Sequence, residues 1–203
     1  MNSLYVIATP IGNLEDISIR ALNVLSSVEL IAAEDTRVTL RLLKHYNINT
    51  KLISYHEHSK RSKVTKLANI LREADLALVC DSGTPVISDP GRELVKMAQE
   101  EGFNVVPIPG ASSIIAGVSV SGLDTTKFLF VGFLPRKSSE RIKLFKEPLP
   151  VSTALVFLES PRRLRASLTD LKNSLGDRKL TICREMTKIY EEIFVGTATT
   201  ALE

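Results

Sequence analysis

Short, almost wholly apolar runs alternate with longer amphipathic ones, and this rhythm constrains the fold more than any other feature of the chain. The runs at 4–9, 28–33, 51–54, 76–80 and 104–108 are rich in Val, Ile, Leu and Ala. A strand wetted on one face alternates polar and apolar residues. A strand covered on both faces need not, so these runs read as parallel strands buried between helices. Helical patterns fall between them, at 16–26, 37–45, 59–74, 90–101 and 111–121. Within 59–74, Val64, Leu67 and Leu71 recur at steps of three and four. Strand–helix alternation of this kind predicts an α/β fold with right-handed crossovers.

The character changes over Ser-Gly-Leu-Asp-Thr-Thr-Lys, 121–127. A boundary is expected there, between an N-terminal α/β domain over 1–121 and a C-terminal α/β domain over 122–203. In the second, 128–133, 153–158, 180–184 and 190–195 read as strands of a mixed sheet around a helix at 161–175. Asp89-Pro90 places a capping carboxylate before a proline at the first helical position, and Gly102 ends that helix. Ser160-Pro161 repeats the start signal, Leu164, Leu168, Leu171 and Leu175 form a buried stripe, and Gly176 closes it. A further helix opens at Thr199 as the chain ends. The second domain is therefore expected to be unfinished, its edge covered by more chain or by an oligomer.

Charge is unevenly spread. The net charge is only +3, but residues 36–72 hold nine basic side chains and one acidic one, Glu57. Solvated helices usually interleave signs, so this stretch suits a polyanion, as do the patches Arg136-Lys137, Arg141, Lys143, Lys146 and Arg162, Arg163, Arg165. Aromatics are only 5% of the chain, so readout of single strands by stacking is not evident. Cys80 and Cys183 sit in apolar runs and read as buried free thiols of a reducing compartment. The first residues show no signal peptide, and no segment is long and apolar enough to span a membrane. A cytoplasmic location is expected. No zinc-ligand spacing, P-loop, G-x-S-x-G elbow or G-x-G-x-x-G occurs.

Three strand-to-helix loops carry the chemistry. The first is Thr9-Pro10-Ile11-Gly12-Asn13-Leu14. The second, 80–91, is a rigid, backbone-exposing loop with two Gly, two Asp and three Pro or Thr between strand and helix. The third, Pro107-Ile108-Pro109-Gly110-Ala111-Ser112-Ser113, places two serines at a helix start. Loops after parallel strands gather at one end of the sheet, where ligands bind. Each alone also reads as an ordinary turn or cap. Glu34-Asp35, closing the second strand, reads either as an acidic ligand contact or as a helix cap.

At these loops the sequence resembles the tetrapyrrole methylase superfamily, and within it the ribosomal RNA small subunit methyltransferase I family. The matching segments are 9–14, Ala-Glu-Asp-Thr-Arg (33–37), His-Glu-His (56–58), Asp-Ser-Gly-Thr-Pro (81–85) with Asp-Pro-Gly (89–91), and Pro-Gly-Ala-Ser-Ser (109–113). Further matches are Gly-Phe-Leu-Pro-Arg (132–136), Glu-Ser-Pro-Arg-Arg-Leu (159–164) and Arg-Glu-Met-Thr-Lys (184–188). The resemblance implies two α/β domains with S-adenosylmethionine in the cleft between them. It implies a homodimer and 2'-O-methylation of a cytidine in the decoding region of small-subunit ribosomal RNA. Carried over by position, the donor would meet Pro10, Ile11, Asp81, Gly83, Thr84, Val86, Ile87, Ser112, Ser113, Leu158, Glu159 and Arg184. Family members continue past Glu203, and Ser82 stands where Ala is frequent.

Methyl transfer from a sulfonium needs positioning more than a metal, and a ribose hydroxyl profits from a base. Glu34, Asp35 and His56 are the candidates for that base. Arg37, Arg41, Lys60, Arg61, Arg136, Lys137 and Lys188 are the candidates for RNA phosphates. Two other functions compete. A small-molecule methyltransferase has no need of the cations of 36–72, and a non-catalytic RNA-binding assembly factor has no need of three converging loops.

Overall fold

A computed structural model describes residues 2–56 and 61–203; Lys60, the Glu57-His58 pair and the side chain of Arg61 lie outside the described residues. The chain divides into two compact units, Met1–Ser112 and Ser113–Glu203. This division falls ahead of the fifth helix, whereas the change of composition falls behind it.

In the first unit, β1 (Ser3–Ile7), β2 (Leu30–Ala33), β3 (Lys51–Ser54), β4 (Leu76–Val79) and β5 (Asn104–Ile108) form one parallel sheet in the order β3-β2-β4-β1-β5. Successive side chains face opposite sides. Ile7, Ile31, Ala33, Ala77 and Val79 pack on one side against Ala21 and Leu25 of α1 (Ile19–Ser27) and Leu42 and Leu43 of α2 (Thr36–His45). Leu4, Ala32, Leu76 and Leu78 pack on the other against Leu67 and Leu71 of α3 (Arg61–Glu73) and Leu94 and Ala98 of α4 (Arg92–Glu100). Four cations stand on α3. Each like-charge pair costs about 0.2–0.5 kcal/mol, against roughly 1.5–3 kcal/mol gained by each fully buried leucine, so packing holds the helix.

The start of α4 corrects the sequence reading. The helix begins at Arg92, with Gly91 in the cap position at φ +138° and no side-chain cap. A Cβ on Gly91 would lie 2.8 Å from Leu78 Cδ2 and 2.9 Å from Val86 Cγ2, so only glycine fits between strand and loop. Asp89 does not cap. The far end is as expected: Phe103 N–H donates to Ala98 O and Gly102 N–H to Gln99 O, with Gly102 at φ +80°.

In the second unit, β6 (Phe128–Phe133) pairs in parallel with β7 (Ala154–Leu158), and β8 (Lys179–Arg184) pairs antiparallel with β9 (Glu192–Thr197). Both strand senses are present, grouped into two separate two-stranded sheets. Helix α5 (Ser113–Val120) is tied to this unit by the Thr181 hydroxyl, which donates to Ser121 O at 2.8 Å just beyond it. Helix α7 (Pro161–Leu175) has Ser160 as its cap, Pro161 at its start and Gly176 at its end. Leu134, Phe145, Leu171 and Ala198 form the core.

Three details differ from expectation. A further helix, α6 (Ser138–Phe145), forms within the basic run 136–146. Strand β9 lies two residues later than read, which leaves Ile189 and Tyr190 in the hairpin tip. The segment after Thr197 is a turn and not a helix, closed by Ala201 N–H to Thr197 O. No helix of the described residues is long and apolar enough to cross a membrane.

Candidate active site

The loops leaving β1 and β2 run to helices on one face of the sheet, and β4 is followed by a helix on the other. Strand β4 lies between β2 and β1. On both of its sides, therefore, neighbouring loops part in opposite directions and leave a crevice at the carboxyl ends. The three loops singled out in the sequence meet there. Thr9 N–H donates to Gly83 O at 2.9 Å, and Gly83 N–H to Thr9 O at 3.0 Å. The Thr84 hydroxyl donates to Ala111 O at 3.3 Å. Gly83, at φ +81°, has Ile11 Cγ2 and Ala111 O next to where a Cβ would stand. At Gly110 a Cβ would lie 3.0 Å from that of Ala8. Pro10, Ile11, Asp81, Gly83, Thr84 and Ser112 thus belong to one cluster of loops. Val86 and Ser88 hold φ of +75° and +62° within it. For a β-branched residue such as Val86 this is strained, a condition that concentrates at ligand clamps.

Acidic groups stitch β2 to β4 at the same end. Asp35 N–H donates to Asp81 Oδ1 at 2.9 Å, and Asp81 N–H to Glu34 Oε2 at 3.4 Å. Asp35 itself is a cap. Its carboxylate accepts from Arg37 N–H at 2.8 Å and from Arg37 Nη2 at 2.6 Å. The guanidinium and amide of Arg37 hold its pKa at about 2, well below the ordinary 3.8. A carboxylate so held is a poor proton acceptor at neutral pH. Since its pKa is depressed on folding, its contribution to stability is complete above pH 4 and lost as pH falls through about 2. Asp35→Asn keeps the capping acceptor but not the charge. We expect its urea midpoint to fall below that of the parent chain at pH 5, with the gap closing by pH 2. A gap that persists at pH 2 would refute the assignment.

The described cations of 36–72 separate in space. Lys51, at the start of β3, pairs with Glu29, and Arg72, at the end of α3, pairs with Glu101; both lie at the amino ends of the strands. An open groove of about 820 Å³ along β3 and α3 is at that same end, lined by Leu30, Leu52, Ile53 and Ile70, away from the converging loops. Arg37 starts α2 at the carboxyl end, exposed, and Arg41 is exposed one turn on. Lys63 reaches Ser54 Oγ at 3.0 Å at the end of β3. His56 is exposed just beyond it.

The second unit sorts its expected site residues differently. Leu158 ends β7, and its carbonyl accepts from Leu134 N–H. The Glu159 side chain turns inward, 3% exposed, and accepts from Ser160 N–H at 2.7 Å, Arg163 Nε at 2.6 Å and Ser167 Oγ at 2.5 Å. Burial raises its pKa, but these donors together outweigh burial and lower it. Any ligand contact at this position is left to its backbone. Arg184 is exposed and pairs with Glu192, Lys188 pairs with Glu185, and Lys137 pairs with Glu140. Arg141, read as part of a basic patch, is buried against Asp170 and is no phosphate contact. Cys80 and Cys183 are both free, but only Cys80 is fully buried. Burial, with the nearby Asp89 carboxylate, pushes the Cys80 thiol up to about 12. Burial also lifts Asp89 above the usual carboxylate range.

Sequence reasoning placed Thr9 and Ala111 within these loops but did not single them out as the residues whose backbones bridge them. Only their neighbours Pro10 and Gly110 signal them.

An open parallel sheet with strand-end loops gathered beside a topological switch defines a ligand-binding α/β protein of the doubly wound kind. The family model for Tetrapyrrole (Corrin/Porphyrin) Methylases matches residues 3–202, and the chain belongs to that family. Among curated relatives, the ribosomal RNA small subunit methyltransferase I of Halalkalibacterium halodurans is 50% identical over 196 residues, covering 96% of this chain and 68% of that protein. Its namesake in Synechocystis sp. is 47% identical over 100% of this chain and 73% of that protein, and the one in Thermotoga maritima is 44% identical over 100% and 91%. Two solved structures share the fold. Uroporphyrin-III-C-methyltransferase from Thermus thermophilus has a TM-score of 0.65 at 19% identity, covering 98% of this chain and 86% of that one. A diphthine synthase has a TM-score of 0.75 at 12% identity, covering 100% and 84%. At such identities the likeness concerns fold alone.

Proposed function

We propose that the chain methylates the 2'-hydroxyl of a cytidine in the decoding region of small-subunit ribosomal RNA, with S-adenosylmethionine as donor. The observation that carries this reading is the joining of the β1, β4 and β5 loops through the Thr9–Gly83 bridge and the Thr84–Ala111 bond, with Glu34 at the same sheet end. The cluster suits a flat, polar, cationic ligand. Glycines at 83 and 110 let the loops pack this closely, and Asp81 supplies negative charge. Pro10, Ile11, Asp81, Gly83, Thr84, Val86, Ile87 and Ser112 would hold the donor.

When bound, the donor supplies an electrophilic methyl group. The chain's own residues do the rest. Glu34 accepts the ribose proton, a role Asp35 is too acidic to fill. Arg37 keeps Asp35 ionised and turns its remaining donors to phosphate, with Arg41 one turn further along α2. His56, exposed beyond β3, is the alternative base. A homodimer in the cytoplasm belongs to the same reading. The cations at the loop end favour a polyanionic substrate over a small molecule.

Calorimetry with S-adenosylmethionine, followed by mapping of methylated ribose on small subunits lacking the modification, tests the proposal. Donor binding without ribose methylation would sink the RNA assignment, and no donor binding would sink the whole. Arg41→Ala is expected to weaken RNA binding by the same factor for every sequence. The slope of log K against log salt should drop by about 1. A sequence-dependent loss in a filter-binding salt series would argue against a phosphate contact.

A further inference from the structure

Strand β6 does not end like its partner. Its register with β7 shifts between Phe130 and Phe133, and Gly132 takes φ +69°. Such irregularities re-aim the side chains that follow them and recur beside active sites. Here the side chain re-aimed is Phe133, opposite Leu158 at the carboxyl end of the parallel pair and 60% exposed. A single exposed apolar residue needs no explanation. The backbone beneath this one does.

Each carbonyl of the three residues that follow is held by a buried or half-buried arginine. Arg163 Nη2 donates to Leu134 O at 2.8 Å. Arg141 Nη1 donates to Pro135 O at 3.1 Å and to Arg136 O at 2.7 Å. Leu134 itself is buried, and its N–H donates to Leu158 O. Both arginines are anchored in turn, Arg163 by Glu159 and Arg141 by Asp170. One buried and one half-buried ion pair are a costly way to fix one turn. What the turn holds outward is Phe133, then Arg136 and Lys137, both exposed. Arg136 has no ion-pair partner among the described residues, and Lys137 has only a solvent-exposed pair with Glu140 at 3.5 Å.

From this we infer that Phe133 is a stacking platform for an unpaired base of the RNA, with Arg136 and Lys137 receiving the flanking phosphates. The inference rests on the RNA reading above and supplies the aromatic contact that the sequence, poor in such residues, leaves unmarked. A rigid ring beside exposed cations is the arrangement by which single-stranded nucleic acid is held without base-specific hydrogen bonds. Its charge favours RNA over a second protein surface, and its position beside Leu158 puts it next to the expected donor segment.

The test compares the parent chain with Phe133→Ala and Phe133→Trp. Fluorescence anisotropy measures a short labelled single-stranded RNA of mixed sequence and the same RNA as a duplex. Calorimetry measures S-adenosylmethionine, and sedimentation measures oligomeric state. Phe133→Ala should weaken single-strand binding roughly 5- to 100-fold, the range for one lost base–aromatic stack, with duplex binding little changed. Phe133→Trp should restore it. Unchanged single-strand binding in the alanine variant overturns the platform alone. A loss of donor affinity in its place would assign the ring to the donor's adenine, and a change of oligomeric state would assign it to a subunit contact. Either result overturns the inference. A parent chain that binds no RNA removes both this inference and the RNA reading beneath it.

Discussion

Replacing Glu34 with Gln should lower methyl transfer by about 10²- to 10⁴-fold while leaving donor affinity and thermal stability near those of the parent chain. The expectation comes from two separable jobs of one side chain. Glu34 Oε2 accepts the Asp81 amide proton and, with the return bond from Asp35 N–H to Asp81 Oδ1, staples the end of β2 to the β4 loop. A glutamine oxygen accepts that proton as well, so the staple survives. What a glutamine cannot do is take a proton from a hydroxyl. Glu34→Ala removes both functions and should also lower donor affinity, because Asp81 then loses a fixed neighbour. The contrast between these variants decides the role. If Glu34→Gln retains full turnover, Glu34 is a staple only and the base lies elsewhere, with His56 next in order. If Gln and Ala fall equally in both donor affinity and turnover, the loss is architectural. Single-turnover rates at saturating donor, with calorimetric Kd values beside them, separate the cases.

The parts of the molecule legible in the sequence are those decided locally. Strands β3 and β5, and helix α7 between Ser160-Pro161 and Gly176, end where their residues say, because apolar runs and caps act within a few positions. Loop convergence was legible for a different reason: parallel strands place all their following loops on one side. The strand order β3-β2-β4-β1-β5 was not legible, because nothing local marks which strands adjoin. Asp89-Pro90 misled because a tertiary effect won. The loop packs so tightly on Leu78 that Gly91 must start the helix, and the Asp89 carboxyl is drawn in beside Cys80. Helix α6 was hidden by a charge at a core position. Arg141 stands where a hydrophobic pattern calls for an apolar residue, and its run of basic neighbours reads as surface. Glu159 shows the same difficulty within the site. Its position was marked by motif, but the inward turn toward Arg163 and Ser167 depends on residues one and two helical turns away.

That hidden arginine gives the largest stability effect we expect. Arg141→Ala should cost about 3–5 kcal/mol, the range for breaking one side of a buried ion pair. This is a large share of the ~5–15 kcal/mol by which folded chains usually persist. The guanidinium is 6% exposed and Asp170 13%, so the orphaned carboxylate has little water to turn to. Removing both charges usually relieves such a penalty, and a well-packed apolar pair is often as stable as the ions it replaces. Here that rescue should fail. Arg141 also donates to Pro135 O and Arg136 O, and Asp170 accepts the Ser138 hydroxyl. In Arg141→Met with Asp170→Leu the charges leave together, but the two carbonyls lose their donor, each worth roughly 0.5–1.5 kcal/mol. We expect the double variant to recover only part of the loss, with urea unfolding placing it about 1–3 kcal/mol below the parent chain. Arg141→Lys keeps the charge on a single point and cannot reach the carboxylate and both carbonyls at once, so it should fall between Ala and the parent. A double variant as stable as the parent would mean that the carbonyl bonds carry no weight and that the ion pair is merely a local pairing of charges. If the carbonyl bonds do carry weight, the double variant should also lose single-strand RNA affinity, because the turn that holds Phe133 outward is no longer fixed.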